Sequence, residues 1–67
     1  MTQLTVEARH LLPGDWILHM NERFNERVVD VERTRDGDIK VYTDYGNGGE
    51  PATSFWYSTE PVPVERG

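Results

Sequence analysis

Two tyrosines three positions apart, Tyr42 and Tyr45, run into Gly46, Asn47, Gly48 and Gly49 in the stretch KVYTDYGNGG. Ring faces set side by side stabilise a desolvated cation, and an Asn next to them adds a hydrogen-bonding edge. The same residues are also turn chemistry, since Gly and Asn accept positive φ at a hairpin end. Tyr42 alternates with Val41 and Thr43, so it is either an exposed ring or a cross-strand packing partner. Phe24 and Trp56 are further candidates for a ring surface. Trp16 and Trp56 both fit core or rim packing, although an exposed tryptophan on so small a molecule would act as an interaction anchor.

Other chemistry finds less material. Ser54, Ser58, His10 and His19 offer nucleophiles and bases, but no Ser, His and acid stand at a spacing that a fold would bring together. A chain this short does not by itself enclose the roughly 300 Å3 or more of dry pocket that small-molecule sites use. The stretches DGD and DYGNGGE carry oxygen ligands without the spacing of the twelve-residue calcium loop. Two isolated histidines and no cysteine make a poor zinc set. The sequence therefore points away from an enzyme and implies no cofactor and no metal.

The elements that would position the rings read as strands between turns. LTVEARHLLPGD ends at Pro13-Gly14, a dipeptide suited to a type II turn. DWILHM follows as a strand, and polar NERFNE, carrying Phe24, breaks it. RVVDVERT puts Val29 and Val31 on one face with Asp30 and Glu32 on the other, which is period two. Asp36-Gly37 is a hairpin signal leading into IKVYTDY, where Ile39, Val41 and Thr43 alternate with Lys40, Tyr42 and Asp44. GNGGEPA is a loop. TSFWYS then makes a strand with Phe55 and Tyr57 opposite Trp56, and PVPVER a last strand whose prolines confine it to a sheet edge. Residues 1–11 fit either one helical turn or an extended arm. So many short strands in so short a chain must curl to share a core. The predicted fold is all-β, one domain over 1–67, a small partly open barrel of the SH3-like type with about five short antiparallel strands.

Composition limits the partners. Sixty-seven residues bury only about 60% of the surface they expose when unfolded, so the core is thin. A hydrophobic content of 36% is still enough to fold. With no cysteine to staple it, self-association as a homodimer is one route to extra stability. Twelve acids against seven bases give a net charge of -5, which opposes non-specific attraction to nucleic acid. Arg23, Arg27, Arg33 and Arg35 lie close in sequence but alternate with Glu22, Glu26, Asp30, Glu32 and Asp36, the pattern of a salt-bridged solvated face. No apolar run is long enough for a signal peptide or membrane span, and the absence of cysteine fits a reducing compartment, so a cytoplasmic location without membrane contact is expected.

The string VYTDYGN, preceded by a Val-rich strand and an Asp-Gly turn, resembles the third-strand signature of Tudor domains of the survival-of-motor-neuron type. PGDWI resembles the Gly-Asp that opens their first strand. The likeness extends from about Leu12 to Ala52. Tudor domains hold methylated Arg or Lys in a cage of rings plus an Asn. The resemblance thus implies Tyr42 and Tyr45 as cage walls and Asn47 as the polar contact. The family's other two rings would fall near Asn21 and near Asn25, where Phe24 is the neighbouring ring, and Trp56 is a substitute from the fourth strand.

These readings converge on a non-enzymatic adaptor that presents Tyr42, Tyr45, Asn47, Trp56 and Phe24 to a protein or peptide segment, a cationic one given the acidic balance. Two alternatives stand beside it. One is an accessory protein of bacterial or phage type that binds nucleic acid, or a nucleic-acid-processing protein, with rings on bases and the Arg23–Arg35 segment on phosphate. The other is a homodimeric structural or assembly subunit.

Overall fold

A computed structural model describes residues 2–46 and 50–67. Six strands form one antiparallel sheet: β1 (Thr2–Glu7), β2 (Trp16–Ile17), β3 (Glu26–Arg33), β4 (Ile39–Asp44), β5 (Ala52–Trp56) and β6 (Pro61–Arg66). Single 3-10 turns at Ala8–His10 and Glu22–Phe24 interrupt the connections. The strand order is β1-β6-β2-β3-β4-β5, so the sheet stays unclosed with β1 and β5 at its edges. The architecture is the all-β, partly open one that the sequence predicts. It has six strands rather than about five because the N-terminal segment is a full strand, pairing Leu4 with Val64 and Val6 with Val62.

One face of the sheet carries the core. Ile17, Val28, Ile39, Val41, Val62 and Val64 are buried there with Ala8 and Leu11, and Leu4, Val6, Val31 and Trp56 pack around them. The alternation expected in IKVYTDY holds without exception: Ile39, Val41 and Thr43 point inward, Lys40, Tyr42 and Asp44 do not. Phe55 and Tyr57 likewise lie opposite Trp56, exposed where Trp56 packs on the core.

Three local expectations are corrected. In β3 a bulge between Val28 and Asp30 shifts the register, so Val28 faces Thr43 and Val31 faces Val41 while Val29 stands half exposed. An extra residue in one strand reverses the facing of everything before it, and strict period-two counting from Val31 therefore misassigns Val29. The DWILHM strand stops after Ile17. The Asn25 side chain accepts a 2.8 Å hydrogen bond from the His19 amide and draws the chain off the ladder, and Met20 ends fully exposed. Finally, β6 is interior, between β1 and β2, in spite of Pro61 and Pro63. The Pro63 carbonyl accepts from Leu18 N (2.9 Å), so its donorless nitrogen also faces the β2 side. Leu18, next in register after the Ile17–Val64 pair, receives no bond in return, so the proline forgoes one ladder bond at the point where β2 ends.

The predicted Pro13-Gly14 turn is present, closed by Asp15 N donating to Leu12 O at 3.1 Å with Gly14 at φ +96. It delivers Asp15 into a buried corner. The Asp15 carboxylate takes a fork from Arg66, Nε to Oδ1 and Nη2 to Oδ2, both 2.8 Å, and accepts from Leu12 N at 2.9 Å. Arg66 Nη2 also donates to His10 O (3.3 Å), and Val28 N donates to the Asp15 carbonyl (2.8 Å). One aspartate thus ties the turn, β3 and the end of β6 together. The guanidinium of Arg66 holds the carboxyl of Asp15 below its ordinary range, against the opposing effect of burial.

Candidate functional site

The sheet register places the candidate rings on different surfaces. Tyr42 pairs with Asp30 and Thr53 on the outer face, its hydroxyl donating to Glu32 Oε2 at 2.9 Å. Trp56 pairs with Ile39, three positions from Tyr42 along β4, and so turns to the inner face, where its Nε1 donates to Ser54 Oγ at 3.0 Å. Tyr42 and Trp56 do not share a notch. Tyr45 follows the end of β4, Phe24 closes the 3-10 turn between β2 and β3, and both are exposed. Asn47 lies outside the described residues.

What Tyr42 does share is a cation. Lys40 Nζ sits 5.0 Å from the centroid of the Tyr42 ring and 5.9 Å from that of Phe55, directly across the β4–β5 pair. Hydrogen bonding and charge interaction with Tyr42, then the Glu32 carboxylate, raise the ammonium of Lys40 above its ordinary value. The outer ring faces therefore already accept a positive charge, supplied by the chain itself.

A second ring system lies at the far end of β5. Phe55, Trp56 and Tyr57 line a hollow of about 250 Å3 together with Asp38 and Glu60. Asp38 stands one step beyond the Ile39–Trp56 pair, placed by the β3–β4 turn, in which Thr34 Oγ1 accepts from Asp38 N (3.1 Å). Glu60 is placed by the β5–β6 turn, its backbone N donating to Tyr57 O (3.0 Å) and its Oε1 accepting from Tyr57 N (3.1 Å). Among the described residues no hydrogen bond reaches the Asp38 carboxylate. Phe55 and Tyr57 are 65% and 74% exposed. Neither was a sequence candidate for ligand contact. The visible signal was the alternation Phe55, Trp56, Tyr57, which guarantees two rings outward around one inward, but the approach of Asp38 and Glu60 needs both flanking turns.

Tertiary structure also assembles a chain of polar groups that no spacing announces. The buried Thr43 hydroxyl donates to Glu26 Oε1 (2.9 Å), and His19 Nε2 meets Glu26 Oε2 at 2.8 Å, beside a hollow of about 350 Å3 lined in part by His19, Glu22 and Glu65. The carboxylate occupies the middle of this line. An imidazole that is to activate a hydroxyl must contact it directly, with the acid behind, so this order orients His19 without activating Thr43.

A third aromatic contact is structural. The Arg27 guanidinium stacks 5.9 Å over Trp16 and donates from Nη2 to Asp44 Oδ2 (3.0 Å), while Gly46 N donates to Asp44 Oδ1 (2.9 Å). Arg27 is the main cause that lowers the Asp44 carboxyl below its ordinary value. Gly46 then lies against Trp16: a Cβ there would come within 2.9 Å of the indole, at a φ of +79 that side chains rarely adopt. Gly46→Ala is expected to lower stability by about 1–2 kcal/mol, measured as a drop in urea midpoint; an unchanged midpoint would contradict this packing.

The remaining arginines do not gather. Arg23 lies before β3 and Arg33 and Arg35 at its other end, so about 23 Å of strand separates them, and Arg27 between them is held by Asp44. Among the described residues no helix is long and apolar enough to cross a membrane, and no group of three or more His, Cys, Asp or Glu is placed to hold a metal ion. Comparison with family models, with characterised proteins and with solved structures finds no match to this chain.

Proposed function

We propose that the protein is a non-enzymatic binding module that takes a cationic side chain, Lys or Arg, of a protein or peptide segment into the hollow at the end of β5. The observation that carries this is the meeting of three rings with two carboxylates, Phe55, Trp56 and Tyr57 with Asp38 and Glu60. Ring faces and anionic oxygens stabilise the same charge, and a partly enclosed hollow strengthens both by excluding water. The net charge of -5 attracts such a segment over longer range. On this reading the sheet is an SH3-like barrel left open between β1 and β5, as the resemblance to Tudor domains implies. The cation is taken at the end of β5 instead of at the Tyr42, Tyr45 and Asn47 positions.

A fluorescent peptide carrying Lys residues, titrated by anisotropy, tests the reading. Wild-type protein is expected to bind it and to ignore an acidic peptide of equal length. Asp38→Asn and Tyr57→Ala are each expected to weaken binding about tenfold. Equal affinity in the variants, or no preference between the two peptides, would remove the proposal.

A further inference from the structure

The hollow opens beside the free edge of the sheet. β5 is the terminal strand of the order and, among the described residues, is paired with β4 alone. Among the described residues no further backbone hydrogen bond reaches Ala52–Trp56. Edge strands of this kind are templates for another extended chain, and proteins ordinarily blunt them with Lys, Pro or a bulge. Ala52–Trp56 has none of these: its sequence is ATSFW, and its pairing with β4 is continuous.

The opposite edge is less suited to a cationic chain. β1 leads directly into Arg9 and His10, both exposed, and the amides of Ala8 and Arg9 already donate to Glu60 O and Ser58 O. At the two ends of β5 the charges have the other sign, with Lys40 lying over the Phe55 ring on the outer face between them. Exposed Glu50 precedes the strand, and Asp38 and Glu60 stand at its far end. The stretch from Glu50 to Tyr57, with Pro51 ahead of the strand, covers about 23 Å in extended form, so acids bracket one uncharged strand whose outer edge has no partner among the described residues.

Resting on the reading above, we infer that the partner segment binds as an added strand along the outer edge of β5. It would be an extended run of about seven residues with a basic residue near each end. One end meets the hollow of Asp38, Tyr57 and Glu60, the other meets Glu50. Backbone bonds to β5 carry affinity that is indifferent to the intervening side chains, and the two ends set register.

The test uses the intact chain and a peptide of alternating Thr and Val with Lys at both ends, made also as a series in which each backbone nitrogen in turn is methylated. Strand addition uses every second amide of the ligand. Affinity is therefore expected to fall about tenfold or more at alternate positions and to hold at those between. Exchange of alternate β5 amides should slow on binding. Uniform tolerance of methylation, with binding still lost in Asp38→Asn, would overturn strand addition and leave the cation-binding hollow intact. Failure of the unmethylated peptide to bind, where a Lys-bearing peptide of random sequence does bind, would overturn strand addition as well. Failure of both peptides would overturn the hollow and the strand addition together.

Discussion

Asp15→Ala is expected to cost about 3–4 kcal/mol, a third or more of the stability of a chain of this size. The carboxylate is 2% exposed and satisfies three donors, two from Arg66 and one from Leu12 N. Removing one partner of such a pair typically costs about 3–5 kcal/mol, because the groups left behind remain out of water without compensation. Arg66 is about a third exposed and recovers some hydration, which sets the value at the lower end. The orphaned Leu12 amide does not. Against a total of about 3–10 kcal/mol for 67 residues, the loss is a large fraction. Urea unfolding followed by circular dichroism measures it, and a variant with the wild-type midpoint would show that this corner supports little.

The same carboxylate predicts how acid acts. Its folded-state pKa is depressed below the ordinary 3.8, first by the hydrogen bonds from Arg66. Its contribution is thus complete above that ordinary value and is lost as pH falls through the lower folded value. Asp44, lowered chiefly by Arg27, acts in the same direction. Stability should therefore fall below about pH 4 in the wild type, and the fall should be shallower in Asp15→Asn, which has no charge there to lose.

Ile17→Ala is the second large effect, about 3 kcal/mol. β2 is only two residues long, yet Ile17 pairs with Val64 on one side and Glu26 on the other, so within the sheet it joins the β1-β6 pair to β3-β4-β5 on the core face. Ile17 is 1% exposed. A cavity there faces two halves of a sheet that have no other strand between them, and the thin core offers little to collapse into the space. Val29→Ala is the matched control. On the outward side of the bulge it should change stability by less than about 0.5 kcal/mol; a loss comparable to that of Ile17→Ala would mean the bulge is misplaced.

Much of the fold was legible because its signals are local. Alternation along IKVYTDY and TSFWYS is a property of successive residues, and Pro13-Gly14 and Asp36-Gly37 set turns by the conformations their own atoms allow. These features determined the all-β class, the β3–β4 hairpin, the inward facing of Ile39, Val41 and Thr43, and the opposition of Trp56 to Phe55 and Tyr57. What failed were the points at which a distant partner overrides local pattern. The bulge that turns Val29 outward exists only in pairing with β4, β2 is cut short by the Asn25 side chain, and the prolines of β6 are tolerated inside the sheet because β2 ends opposite Pro63. The candidate site divides along the same line. The rings were visible as residues, whereas the face each occupies, the carboxylates that join Phe55, Trp56 and Tyr57, and the 51-residue span from Asp15 to Arg66 were decided by tertiary structure, because charge complementarity acts through space and leaves no period in the chain.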